Sequence, residues 1–156
     1  RLTSRVRVKL GDAATVLLAD AFVLHDPSSQ EQSFEWLRSE IAVEDEAGHL
    51  LVLDRVHASG AAIAERWCGV TGAYAAQGSF YALRRGAETG SLLARLRAAL
   101  DSMEDIYAGA SILPNDTGVF VRVLARDALC LRAALQRAWY ECRLVLTGCA
   151  PVPRRK

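Results

Sequence analysis

A serine framed as Gly109-Ala-Ser111-Ile-Leu113 begins like the Gly-x-Ser-x-Gly turn that lifts a nucleophile above a sheet. That turn needs its second glycine, because the chain must swing sharply from strand into helix. Leu113 stands where that glycine is required. A hydrogen-bonded turn serine is therefore expected, and a small hydrolase using Ser111 or a cysteine is the weakest of the functional readings. Phosphate binding fares no better. Gly86-Ala-Glu-Thr-Gly90-Ser91 has no lysine, and Glu88 would repel an anion; Gly69 and Gly72 also lack the lysine.

A metal centre needs converging ligands. His49 and His57 share the parity of one strand, but eight residues of extended chain hold them roughly 26 Å apart. His25 precedes a turn and is expected in solvent. Cys68, Cys130, Cys142 and Cys149 form no Cys-x-x-Cys pair. Cys130 and Cys142 fall on one helical stretch, where twelve residues span roughly 18 Å, well beyond the α-carbon separation of a disulfide. Free thiols in a reducing, cytoplasmic setting follow. No catalytic group, metal ligand set or intrinsic cofactor is assigned.

Glu44-Asp45-Glu46 reads as a solvated hairpin tip, and Arg154-Arg155-Lys156 as a frayed tail too short to hold nucleic acid. Arg122 is more informative. It shares the parity of Phe120 and Leu124, opposite Val119, Val121 and Val123. Such a cation either snorkels from an edge or pairs with a carboxylate; a structural pairing is favoured.

The elements that would position these groups follow from periodicity. Arg5-Val-Arg-Val-Lys-Leu10 alternates as a strand with one wet face. Thr15 to Leu24 is apolar on both parities except at Asp20, which predicts a strand covered on both sides. Asp26-Pro-Ser-Ser29 breaks the chain. Residues 33–58 read as an antiparallel hairpin about a turn at Glu46-Ala-Gly48. Its first strand holds Phe34 and Trp36 on even positions but Leu37, Ile41 and Val43 on odd ones. A one-residue bulge near Trp36-Leu37 would bring all five to one face.

A short helix is expected near Ala61 to Trp67, and a strand from Ser79 to Arg84. Ser91 to Met103 places Leu92, Leu96, Ala99 and Met103 at helical spacing, with Arg95 and Asp101 left to water. Pro114 ends an extended segment, Asn115-Asp-Thr-Gly118 reverses the chain, and Val119 to Ala125 is a strand. Asp127 caps a last helix that stops at Gly148, with Pro151 beyond. The whole reads as one mainly β domain over residues 1–156 with C-terminal helices, a β-rich α+β fold. Its sheets are antiparallel and its helices pack at one end.

Composition agrees with a packed globule: 51% of the 156 residues are hydrophobic and 24% charged. A net charge of +1 provides no field for nucleic acid or acidic lipid. The longest apolar runs, such as Leu50 to Leu53, are far shorter than a membrane span, and no basic-then-apolar leader is expected. The chain opens at Arg1 rather than methionine, so it is read as having lost a start or been cut from something longer.

Gly109-Ala-Ser111-Ile-Leu113-Pro114 followed by Gly118-Val-Phe-Val-Arg122-Val-Leu124 resembles the C-terminal signature of the urease accessory protein UreD (UreH) family. Leu131-Arg-Ala-Ala-Leu135, Trp139, Arg143, Gly148 and a Pro-Arg ending continue the pattern; Ser33-Phe34, Gly48-His-Leu-Leu51 and Asp54-Arg55 precede it. The resemblance implies a cytoplasmic, non-enzymatic maturation factor, a chaperone-like scaffold for metallocentre assembly. It would work with UreF, the GTPase UreG and apo-urease, with nickel in transit rather than resident. It also implies that these residues are the C-terminal portion of a longer β domain, since the family's N-terminal half with its glycine-glycine-aspartate region is absent. The glycine-arginine and glycine-glutamate signals expected near residues 25–33 are replaced by His25-Asp-Pro-Ser-Ser-Gln-Glu-Gln32. Gly109, Ser111, Leu113, Pro114, Gly118 and Arg122 match the signature, with shape and interface as their implied roles. The alternative is a generic β-rich protein-binding module that shares only the corner. Open strand edges would favour a homodimer or aggregation of these residues alone.

Overall fold

Alternating cations and valines force the first segment to show one face to water and one to the core. The computed structural model, which describes residues 1–24 and 34–151, makes this segment β1 (Leu2–Lys9). Arg5, Arg7 and Lys9 are exposed, while Val6 and Val8 are half-buried. β1 pairs in parallel with β3 (Trp36–Glu44), which pairs antiparallel with β4 (Leu50–Ser59). A parallel pair needs a crossover connection. Here the crossover carries β2 (Val16–Val23), a strand of the opposite sheet. That single parallel pair is the departure from the antiparallel expectation.

The second sheet runs in the order β2-β5-β7-β6, with every pair antiparallel. Its other members are β5 (Ala76–Leu83), β6 (Ile106–Ile112) and β7 (Gly118–Ala125). α1 (Gly60–Ala64) is a single turn capped by Ser59. α2 (Thr89–Asp101) and α3 (Ala128–Thr147) lie against the four-stranded sheet. As expected, Asp127 caps α3 by accepting from the Cys130 amide, and Gly148 ends it in the left-handed region at φ 68°.

The four-stranded sheet is therefore the middle of three layers. Phe80, Ala82, Val119, Val121 and Val123 project to α2 and α3, where they meet Leu92, Leu96, Leu131 and Ala138. Tyr81 and Leu83 project the other way, toward Ile41, Val43, Val52 and Leu113. This is why β5 carries apolar residues on both parities: each face has a partner layer. The two helices are locked by a buried charge. Glu141 on α3 receives Arg95 from α2 at 2.7 Å and Arg137 from its own helix at 3.0 Å. Arg95 is thus committed to a carboxylate rather than simply left to water.

Two local expectations fail. β2 is not covered on both sides. It is an edge strand whose Ala19, Ala21 and Val23 are exposed, because an open groove rather than close packing separates them from α3. Nor is there a bulge at Trp36-Leu37. Pairing runs unbroken from Trp36↔Ser59 to Val43↔Val52, and the register shifts only between Val43 and Glu44. Leu37, Ser39, Ile41 and Val43 keep one buried parity. Trp36 stays on the outer face, under the Arg38 guanidinium at 4.7 Å, so stacking gives it a place there. Phe34 precedes the strand.

Gly118 closes the β6–β7 connection where no side chain fits. Its φ is 137°, and an added Cβ would lie 2.0 Å from the Ala82 carbonyl oxygen. Gly118→Ala is expected to lower stability by about 1–3 kcal/mol, read as a fall in the urea midpoint at unchanged slope.

Candidate interaction surface

The corner that follows β6 is built from its own backbone bonds. Leu113 is buried in the core between the sheets, and its amide donates to the Gly118 carbonyl at 2.8 Å. Pro114 starts a tight turn, and Asn115 and Asp116 take positive φ values of 57° and 51°. The buried Thr117 hydroxyl donates back to the Pro114 carbonyl at 2.8 Å. Asn115 then crosses to the other sheet: its Nδ2 donates to the Leu51 carbonyl on β4 at 2.8 Å. Leu113, Pro114 and Gly118 are in this way parts of a rigid clip between layers, and the reading of this stretch as a shaped corner holds.

Arg122 projects from β7 into the space between the sheets. Its Nη2 donates to Asp54 Oδ2 on β4 at 2.7 Å. The Tyr81 hydroxyl on β5 donates to the same oxygen at 2.5 Å. Phe120 lies beneath the guanidinium at 5.1 Å and beside the Tyr81 ring at 5.0 Å. One carboxylate oxygen thus receives donors from two strands of the facing sheet. Burial, and then the bond to Asp54, push the Tyr81 hydroxyl above its ordinary value of 10.0. A second polar link, Ser39 Oγ to Asp20 Oδ2 at 2.7 Å, joins β3 to β2 and accounts for the aspartate that interrupts an apolar strand. The expected pairing of Arg122 is present. Sequence reasoning did not identify Asp54 and Tyr81 as its partners. The available signal was a lone aspartate on the apolar parity of β4 facing a lone arginine on the apolar parity of β7.

Gly109 and Ser111 stand on β6, paired opposite Arg122 and Phe120, and both are exposed. They share a strand parity with Leu113 and a face with Arg122, but unlike Leu113 they are not covered. Ser111 lies within a regular strand, not on a strand-to-helix turn, and contrary to expectation it is not a hydrogen-bonded turn serine, since its hydroxyl has no partner among the described residues. The Gly86–Ser91 loop leads into α2, but Glu88 fills the anion position with its own carboxylate. It accepts from the Gly90 amide at 2.9 Å and the Ser91 amide at 3.1 Å. Those bonds, led by that of the Ser91 hydroxyl, hold Glu88 below the usual carboxylate range.

Among the described residues no three His, Cys, Asp or Glu side chains converge as metal ligands. His49 pairs with Asp45 at 3.0 Å at the hairpin tip, and His57 is exposed on the outer face of β4. All four cysteines are free, and burial pushes the Cys142 thiol up to about 12. His25, the departure at 25–32 and the tail at 154–156 lie outside the described residues. No described helix is long and apolar enough to cross a membrane. An open apolar groove of about 400 Å³ runs between β2 and α3, lined by Leu17, Ala21, Val23, Leu131, Leu135 and Trp139. The arrangement offers moulded surfaces, a bridged sheet sandwich and unpaired strand edges.

Comparison with known proteins agrees in one direction. The family model described as UreD urease accessory protein matches residues 1–156. Urease accessory protein UreD 1 of Pseudomonas syringae pv. syringae is 44% identical over 156 residues, covering 100% of this chain and 55% of the relative. Its counterpart in Pseudomonas syringae pv. tomato is 40% identical over 156 residues, with the same coverage of 100% and 55%. Urease accessory protein UreD of Natronomonas pharaonis is 32% identical over 157 residues, covering 99% of this chain and 52% of the relative. The chain spans about half the length of the curated relatives it matches.

Removing the shared acceptor strands two donors. Asp54→Ala is expected to cost about 1–3 kcal/mol, and to cost less in a Tyr81→Phe background, as a double-mutant cycle would read. Tyr81 also sets an alkaline dependence. Its protonated form is favoured by folding, so its contribution is complete below pH 10.0 and lost as pH rises beyond it. Tyr81→Phe should flatten the decline of the unfolding midpoint above pH 10.0, measured against the unsubstituted chain.

Proposed function

The chain belongs to the UreD urease accessory protein family, and from that membership we propose that it is part of a non-enzymatic scaffold for urease maturation. The match of the family model to residues 1–156 carries the reading. In it, residues 1–156 are the C-terminal portion of a longer cytoplasmic β domain. That domain binds UreF, through it engages UreG, and presents both to apo-urease while nickel is in transit. Gly109, Ser111, Leu113, Pro114, Gly118 and Arg122 act by shaping and presenting the surface, with no bond made or broken at them.

Physical features support a scaffold. The Arg122–Asp54–Tyr81 joint and the Asn115 clip fix the sheets relative to one another, so exposed surfaces are held in a defined geometry. A rigid surface loses less conformational freedom on association. The groove between β2 and α3 is apolar and open, as a protein contact requires. Glu88 occupies the place a phosphate would take at α2, which leaves nucleotide chemistry to another component.

A pull-down with UreF decides the matter. The complete polypeptide should retain UreF, and should show no hydrolytic turnover that Ser111→Ala abolishes. Recovery of no UreF would overturn the scaffold reading, and turnover lost in Ser111→Ala would replace it with a hydrolase. Prepared as residues 1–156 alone, the protein should dimerise or aggregate through its open strand edges. A monodisperse monomer by light scattering would contradict that expectation.

A further inference from the structure

The two facing sheets are unequal, with three strands against four. Cross-sheet bonds fix how they overlap. Ser39 on β3 reaches Asp20 on β2, and Asp54 on β4 reaches Tyr81 on β5 and Arg122 on β7. Continuing outward, β6 has no strand opposite it among the described residues. The exposures agree. On the helix side of β6, Ala110 is buried and Ile106 and Ala108 pack on the core. On the sandwich side, Tyr107 is 71% exposed, and Gly109 and Ser111 are exposed as well.

Gly109 adds an independent argument. A glycine in mid-strand weakens the strand, and such residues often mark where another backbone or side chain approaches closely. Nothing among the described residues makes that approach: an added Cβ would meet no atom of them within 4 Å. β4 is correspondingly open. It pairs with β3 alone, and beyond the Asn115 contact at Leu51 no further strand lies beside it among the described residues. At the same rim the Arg122 side chain is 41% exposed, with Asp54 as its carboxylate partner.

We propose that a β-strand from the remainder of the longer family polypeptide lies beside β4 and over β6, making the three-stranded sheet four-stranded. This rests on the reading of residues 1–156 as part of a longer β domain, whose relatives they cover to 55% and 52%. A strand beside β4 sits about 4.8 Å from it and about 10 Å above β6. At that height it delivers a bulky apolar side chain into the space that Gly109 leaves between Tyr107 and Ser111. A strand-edge glycine filled by a cross-packed ring or branched side chain is a known stabilising device. The strand covers Tyr107, satisfies the free backbone groups of β4 and removes an edge otherwise open to aggregation.

The test uses the complete polypeptide, without partners. Hydrogen exchange should show the outward-directed amides between Leu53 and His57 on the order of 100-fold slower than unpaired amides. Gly109→Val should lower the unfolding midpoint, because the added side chain displaces the one packed there. On a free face the same substitution adds a good strand former and should raise the midpoint. Free exchange of those amides overturns the proposal, as does a raised midpoint in Gly109→Val. Protection that arises only after a partner protein is added also overturns it, and assigns the site to that partner. Should Gly109→Val fail to fold, exchange in the unsubstituted protein still decides. A native polypeptide whose intact mass matches residues 1–156 alone would instead sink the underlying domain reading, which separates the two failures.

Discussion

A carboxylate placed between two apolar sheets must be met by donors or it forces them apart. Asp54 is met twice on one oxygen, by Arg122 Nη2 at 2.7 Å and by the Tyr81 hydroxyl at 2.5 Å. The donors come from adjacent strands of one sheet and the acceptor from the other sheet. The geometry is satisfied at one lateral offset, so the bond fixes which strand faces which. Apolar contacts among Ile41, Val43, Val52 and Leu83 supply non-directional attraction. The Asp54 joint, with Ser39–Asp20 and Asn115–Leu51, supplies the register.

That register has consequences on both sides of the middle sheet. It sets Tyr81 and Leu83 against the outer sheet while Phe80 and Ala82 face the helices. The Glu141 bridge to Arg95 and Arg137 then holds α2 and α3 together over the same sheet. Among the described residues the offset also leaves no strand opposite β6, which is where Gly109 and Ser111 lie. The six residues read from the sequence as the family signature therefore divide by position. Leu113, Pro114 and Gly118 make the clip, Arg122 makes the joint, and Gly109 and Ser111 face outward.

Much of the fold was legible because local chemistry determines it. Strict alternation gave β1, turn residues gave the β3–β4 hairpin, and apolar spacing with caps at Asp127 and Gly148 gave α3. The errors fell where a distant element decides. Thr15 to Leu24 carries apolar residues on both parities, yet a groove is left open between β2 and α3, so Ala19, Ala21 and Val23 stay exposed. The Trp36 phase fault reads as a bulge only if every large apolar residue must be buried; stacking under Arg38 provides the other solution.

The order of elements, the missing nucleophile turn, the lysine-free glycine loops and the family signature are all properties of neighbours along the chain. Sequence therefore determined them by itself. Which carboxylate Arg122 takes, why Asp20 sits in an apolar strand, and which face of β6 is uncovered depend on contacts between residues 19 to 68 positions apart. Only tertiary structure decided those, because side chains that distant meet only through the offset between two packed sheets, which no local pattern encodes.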